Sequence, residues 1–151
     1  MKTLTFFLLL FITGNCLAQT DALRLKNYNI KKSVALEGYD PVSYFDGKPL
    51  EGKPGIKTVY KGIVYQFATS GNLTKFKAAP DQYEPGYGGW CAYAMGDSGE
   101  KVKIDPETYT ILDGRLYLFY NFWGNNTLTD WKKDEKRLKA EGDRNWNKII
   151  R

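Results

Sequence analysis

The chain has 151 residues, two cysteines, no histidine and a formal net charge of +5. The missing histidine removes the commonest metal ligand and general base, which excludes Ser–His and Cys–His catalytic pairs and the usual zinc sites. The length corresponds to one domain. Positive and negative charges are interspersed, which is typical of a solvated surface and argues against nucleic acid as a partner.

The N-terminus, residues 1–18, has the three parts of a secretory signal peptide. Lys2 supplies the positive charge, Leu4 to Ile12 is the apolar run, and Cys16 and Ala18 are small residues at positions −3 and −1. The run is too short to span a membrane, which takes about 20 apolar residues. We therefore predict cleavage after Ala18, no transmembrane segment, and a periplasmic or secreted mature protein. A lipoprotein signal modified at Cys16 is the alternative.

The mature chain is predicted to begin with an extension and to continue as one folded domain. Residues 19–33 are polar with scattered apolar side chains, and we interpret them as a partly ordered N-terminal extension before a domain over residues 34–151. Val34 to Phe45 predicts a short strand, a turn and a second short strand, because Pro41 is unfavourable in a central strand.

The middle of the chain predicts hairpins with short helices between them. Strand-forming residues on both sides of Lys61-Gly62 and of Asp113-Gly114 predict two β-hairpins. Ser70 is predicted to cap a helix that continues to Ala79, where Pro80 ends it. The apolar run from Trp90 to Met95 is compatible with a short helix or a buried strand.

The C-terminal segment is predicted to be helical within Leu128 to Ile150, after a capping box formed by Thr127 and Asp130. Gly142 is expected to interrupt this helix. Together these elements predict the α+β class: a small antiparallel sheet with hairpins, short helices and a C-terminal helix.

A series of short motifs extends from Val34 to Asn121. They are GYDPV from Gly38 to Val42 with Tyr44-Phe45, then Tyr60, Gly62, Phe76, Pro80 and Tyr83, then YGGWCAYA from Tyr87 to Ala94, and DGRLYLFYN from Asp113 to Asn121. In these motifs the chain resembles the YHS domain family, and more closely its exported single-domain bacterial branch. The resemblance implies a small α+β unit with a role in heavy-metal binding.

The cysteine pattern departs from the better-known members of that family. Those members have a cysteine close to the Asp-Pro-Val segment and others after the aromatic strand. This chain has no cysteine at either place, so their multi-cysteine site is not transferred to it. Cys91, in the YGGWCAYA motif, is the thiol that remains.

Cys91 has two competing interpretations. Unpaired cysteines usually pack as small apolar side chains, and the neighbours Trp90, Ala92 and Tyr93 agree with a place in the core. Alternatively it binds a soft metal ion, because thiolate and thioether ligands select Cu(I), and Met95 would share a helical face with it. Two sulfurs are a minimal ligand set, so a site shared between the Cys91 residues of two chains would make a homodimer.

A second group of residues would form a ligand pocket without metal. Its members are Tyr39, Asp40, Tyr87, Gly88, Gly89 and Trp90. Glycines let the backbone bend sharply or approach a ligand closely. The structural alternatives are a tight turn at the glycines, and an Asx-type turn before Pro41 with Tyr39 packed in the core.

The sequence leads to the hypothesis of an exported, non-catalytic module that binds a soft metal ion such as Cu(I). Two alternatives stay open: a metal-free module for a small molecule or a protein partner, and a cysteine-dependent enzyme. We assign no catalytic residue, because no paired-carboxylate motif or nucleophile elbow stands out.

Overall fold

The computed structural model describes residues 15–151, with side chains described from residue 20 onward. Residues 1–14 of the predicted signal peptide and the side chain of Cys16 therefore lie outside the described residues. Helix α1 (Asn15–Asn27) continues through the predicted cleavage point after Ala18. In the part that is described, no helix combines the length and the apolar character needed to cross a membrane.

A four-stranded sheet follows α1. Its strands are β1 (Ile30–Lys31), β2 (Val34–Ala35), β3 (Lys53–Tyr60) and β4 (Ile63–Phe67), in the order β1-β2-β4-β3. The pair β2–β4 is parallel and the other pairs are antiparallel. The β3–β4 hairpin turns at Lys61-Gly62 with positive φ angles of 45° and 81°, which confirms the first predicted hairpin.

Two smaller hairpins complete the β-structure of the described chain. Strands β5 (Asp105–Leu112) and β6 (Arg115–Phe119) pair around Asp113-Gly114, whose φ angles of 52° and 73° fit the predicted type I′ turn. Strands β7 (Asn121–Phe122) and β8 (Asn125–Asn126) form the last pair.

Short helices connect and cover these hairpins. They are α2 (Ser70–Ala78), α3 (Pro80–Tyr83), α4 (Ala92–Asp97), α5 (Thr127–Trp131) and α6 (Glu135–Ile149). The predicted α+β class, with hairpins, short helices and a C-terminal helix, is confirmed. The apolar run that the sequence left undecided between helix and strand enters helix α4.

Several local predictions were wrong, each for a physical reason. The cap of α2 is Thr69, whose hydroxyl accepts a hydrogen bond from the Asn72 N–H at 3.1 Å, and not Ser70. The second strand expected before Phe45 is replaced by consecutive turns over residues 41–47. The C-terminal helix is divided into α5 and α6, and α5 is capped by the side chain of Asn126 and not by Thr127.

Helix α6 is not interrupted at Gly142. The glycine lies in the middle of a continuous fifteen-residue helix and is itself buried. Gly96 is the last residue but one of α4, and a Cβ added there would lie 2.3 Å from the carbonyl oxygen of Leu138 on α6. Glycine therefore lets α4 and α6 pack with their backbones almost in contact, and neither position breaks a helix.

The buried side chains form two clusters. The sheet-side core contains Ala35, Leu36, Val42, Tyr44, Ile63, Tyr65, Phe67, Phe76, Cys91, Ile104, Leu116 and Leu118. The helix-side core contains Tyr87, Ala92, Met95, Tyr117, Phe119, Trp131, Leu138 and Trp146. Strand β6 separates the clusters, because its alternate side chains point to opposite faces.

Residues 20–33 pack against the domain through a buried ion pair. The guanidinium of Arg24 on α1 pairs with the carboxylate of Glu84, and the two side chains are 12% and 8% exposed. The Tyr65 hydroxyl donates to the same carboxylate at 2.5 Å. The Tyr28 hydroxyl accepts from Arg24 at 2.5 Å. A buried charge that loses its partner is strongly destabilising, so this network holds α1 against the sheet.

Candidate functional site

Cys91 lies just before α4, and its side chain is 0% exposed. Its backbone N–H donates to the Val102 carbonyl oxygen at 3.0 Å. Its Sγ accepts a hydrogen bond from the Tyr120 N–H at 3.4 Å and lies 3.4 Å from the Thr127 hydroxyl oxygen. The sulfur is thus enclosed by the segment that leaves strand β6.

The hydrogen bonds around this sulfur show where its proton lies. The Thr127 hydroxyl donates its single proton to the Tyr120 carbonyl oxygen at 2.9 Å. In its contact with Cys91, Thr127 is consequently the acceptor and the S–H is the donor. Because the thiolate is the nucleophile and the metal ligand, a buried thiol that uses its proton in a hydrogen bond has the features of a structural cysteine.

Met95 lies one helical turn further along the chain, and its side chain is also 0% exposed. The Met95 N–H donates to the Cys91 carbonyl oxygen at 3.0 Å, but the two side chains belong to different cores. Cys91 precedes the first residue of α4, so the shared helical face expected for the two sulfurs does not form. Among the side chains of residues 20–151, no cluster of three or more His, Cys, Asp or Glu is arranged to hold a metal ion.

Asp40 is fully buried, and its carboxylate is occupied by the domain itself. One oxygen accepts from the Val42 N–H at 2.9 Å, which is an Asx turn, and the other accepts from the Ala68 N–H at 2.8 Å and the Asn72 amide at 2.7 Å. The Tyr39 hydroxyl points to Glu107, at 3.4 Å. These two residues therefore do not share a pocket with the YGGW segment.

The YGGW segment is a buried turn with an unusual backbone. Tyr87, Gly88 and Gly89 have φ angles of 52°, 60° and 84°, three successive residues in the left-handed region. This conformation costs a bulky residue such as Tyr87 on the order of 1–3 kcal/mol, so the surrounding structure must enforce it. The Asn29 N–H and side-chain amide donate to the Gly88 and Gly89 carbonyl oxygens at 2.9 and 3.0 Å, and the Trp90 indole N–H donates to Asn27.

Three glycines make room for three aromatic rings. A Cβ added at Gly86 would lie 2.6 Å from Cε1 of Tyr117, and one at Gly88 would lie 2.7 Å from Cη2 of Trp146. A Cβ added at Gly142 would lie 2.7 Å from the Tyr87 hydroxyl oxygen and 2.8 Å from its Cζ. Real Cβ atoms do not approach other atoms so closely, so the placement of all three rings depends on glycine.

These three rings line a cavity of about 400 Å³ between the β5–β6 hairpin and α6. We call it the aromatic cavity, and its lining residues are Tyr87, Leu112, Asp113, Arg115, Tyr117, Lys139, Asp143, Trp146 and Asn147. The rings are almost fully buried, with exposures of 3%, 2% and 6% for Tyr87, Tyr117 and Trp146. The volume is within the range of about 300–1,000 Å³ that is typical of ligand sites.

Charged groups surround the aromatic wall. Asp143 accepts from the Lys139 ammonium at 3.0 Å, and the Tyr87 hydroxyl lies 3.0 Å from its other oxygen and 3.1 Å from the Lys139 carbonyl oxygen. Burial, reinforced by the charge of Asp143, raises the pKa of Tyr87 well above its usual value. Burial also raises the pKa of Tyr117, although Lys139 and Arg115 act in the opposite direction. Both phenols are therefore neutral hydrogen-bonding groups at physiological pH.

Of the six residues assigned to a pocket from the sequence, Tyr87 lines the aromatic cavity. Gly88 supports it from behind, where it gives space to Trp146. Sequence reasoning missed Tyr117, Trp146 and Arg115, which resemble ordinary strand and helix residues. One signal was available: a glycine in the middle of an amphipathic helix usually has a packing reason, and Gly142 has one.

The comparison with known families agrees with the motifs. The model of the YHS domain matches residues 41–87, which confirms the resemblance to that family over this part of the chain. The match ends at Tyr87, and the β5–β6 hairpin and α6 lie beyond it. No curated protein and no solved structure matched the chain.

Proposed function

We propose that the chain is an exported, non-catalytic binding module that holds a small organic molecule in the aromatic cavity. The observation that carries the proposal is the set of glycines at positions 86, 88 and 142, each of which gives space to one ring of the cavity wall. The left-handed backbone of Tyr87 supports it, because strain of this kind is concentrated at functional sites.

The cavity has the composition of a ligand site. Four lining residues supply apolar surface and the other five are polar or charged, so the site offers both apolar contact and groups that can orient a ligand. The β5–β6 hairpin and α6 are regular elements, so the wall is rigid before any ligand binds. A rigid site loses little entropy when its ligand is ordered.

The proposal is tested by a ligand-observed NMR screen with a mixed set of neutral, anionic, cationic, aromatic and aliphatic small molecules. Asn147 lies at the edge of the cavity on α6 and is exposed, so Asn147→Trp should fill the entrance without disturbing the core. Lys148→Trp is the matched control, because it adds the same side chain at the next exposed residue, outside the cavity. Molecules that bind the wild type and Lys148→Trp should fail to bind Asn147→Trp. The proposal is refuted if no molecule binds, or if both variants bind equally well.

The soft-metal hypothesis remains a separate prediction. It rests on the family resemblance and on the two sulfurs, and the burial of Cys91 and Met95 in different cores weighs against it. Anaerobic Cu(I) titration against a competing chelator decides the matter, with wild type, Cys91→Ser and Met95→Leu measured together. Binding that Cys91→Ser abolishes would support the metal site, and equal competition by all three proteins would reject it.

A further inference from the structure

The rim of the aromatic cavity carries two charged side chains without a salt-bridge partner among the side chains of residues 20–151. Asp113 and Arg115 both line the cavity and are both exposed, and neither side chain forms a hydrogen bond or an ion pair there. The other two charged residues of the lining, Lys139 and Asp143, neutralise each other at 3.0 Å. One cation and one anion are therefore available at the same opening.

The hairpin fixes the positions of these two charges. Arg115 pairs with Leu112 across the ladder, and Asp113 occupies the turn between them with a φ of 52°. They are therefore presented side by side by a tight type I′ turn. Behind them lie the buried rings of Tyr117 and Trp146. The guanidinium of arginine binds a carboxylate through two parallel N–H bonds, and a carboxylate binds an ammonium group.

This inference depends on the proposed function of the cavity. The geometry points to a zwitterionic aromatic ligand, an α-amino acid whose side chain carries a ring. Its carboxylate binds Arg115, its ammonium group binds Asp113, and its ring enters the cavity, where it meets the exposed edges of Tyr117 and Trp146. A purely anionic ligand would be repelled by Asp113, and a purely cationic one by Arg115, so the zwitterion is the form that both charges favour.

Four probes separate the parts of this ligand. They are L-tryptophan, L-tryptophanamide without the carboxylate, N-acetyl-L-tryptophan without the ammonium group, and L-alanine without the ring. Affinities measured by calorimetry at neutral pH should be highest for L-tryptophan. Loss of the charge-assisted bonds to Arg115 should weaken binding by at least about 10-fold. Loss of the contact to Asp113, an ion pair at an exposed site, should weaken it by about 3-fold. L-Alanine should show no binding.

Matched variants assign each group of the ligand to its residue. In Arg115→Gln, L-tryptophan and L-tryptophanamide should bind equally, because the carboxylate has lost its partner. Asp113→Asn preserves the turn, since Asn-Gly is as favourable as Asp-Gly. It should abolish the difference between L-tryptophan and its N-acetyl form. Arg137→Gln, on the exposed side of α6 where Arg137 pairs with Asp134, is the control and should bind like the wild type.

The results distinguish this inference from the proposed function. If neutral aromatic molecules bind in the cavity and L-tryptophan binds no better than its amide or its N-acetyl form, the ligand class is wrong and the cavity function stands. If L-alanine binds as well as L-tryptophan, the aromatic wall plays no part and the inference is overturned. It is also overturned if Arg115→Gln weakens all the probes by the same factor.

Discussion

The role of Cys91 is tested by comparing alanine and serine at this position. Cys91→Ala removes the acceptor of the Tyr120 N–H, which costs about 1–3 kcal/mol for a buried donor without a partner. It also removes a buried sulfur, worth about 1 kcal/mol if it is treated as one methylene group. The expected loss of stability is therefore about 2–4 kcal/mol. Cys91→Ser keeps a group that can donate to Thr127 and accept from Tyr120, so it should lose only about 1–2 kcal/mol.

The assay is urea unfolding followed by circular dichroism, with all three proteins in metal-free buffer containing a chelator. The expected order of stability is wild type, then serine, then alanine, with unchanged m-values. If serine is as destabilising as alanine, the hydrogen bonds to sulfur are not significant and the assignment of the S–H as a donor is wrong. If the wild type, but not Cys91→Ser, is more stable in copper-containing buffer than in this metal-free buffer, the sulfur is a metal ligand and not a structural thiol.

Three further predictions concern the extension, the pH dependence and the N-terminus. Arg24→Met should destabilise the domain by about 3 kcal/mol in urea unfolding, because it leaves the carboxylate of Glu84 buried without its partner, and adding Glu84→Gln should restore part of the loss. If Arg24→Met costs less than 1 kcal/mol, the pair is not buried in solution. Burial raises the pKa of Tyr87 above that of the unfolded chain. The stability that buried Tyr87 contributes is therefore complete below about pH 10. Above that pH it is lost by up to about 1.4 kcal/mol per pH unit. Tyr87→Phe should make the alkaline decline in stability shallower, and an unchanged slope would contradict this. N-terminal sequencing of the exported protein should begin at Gln19, whereas a lipid-modified Cys16 would contradict a soluble form.

The elements that could be predicted from the sequence are those whose cause is local. The turns at Lys61-Gly62 and Asp113-Gly114 require positive φ angles and lie between strand-forming residues, so the sequence around them was sufficient. The division of the C-terminal segment into α5 and α6 was missed, because the cap comes from Asn126, in a strand of two residues that no pattern indicated.

The aromatic cavity could not be predicted, because its causes are not local. Tyr117 occurs in an apolar strand and Trp146 on the apolar face of a helix, and in both cases burial in a core is the default interpretation. What makes them a cavity wall is the approach of distant backbone at Gly86 and Gly88. A sequence shows that a glycine is present, but it does not show which ring occupies the space that the glycine leaves.

The residues of the YGGWCAYA motif have separate roles in the structure. The sequence leaves two interpretations of the motif's glycines, a tight turn and part of a ligand pocket. In the structure Gly88 gives space to Trp146, while Cys91 points away into the sheet-side core. Tyr87 keeps a strained backbone and faces α6, where Gly142 leaves room for its hydroxyl. The cysteine therefore attaches the segment to the sheet, and the tyrosine is the residue that this turn presents to the aromatic cavity.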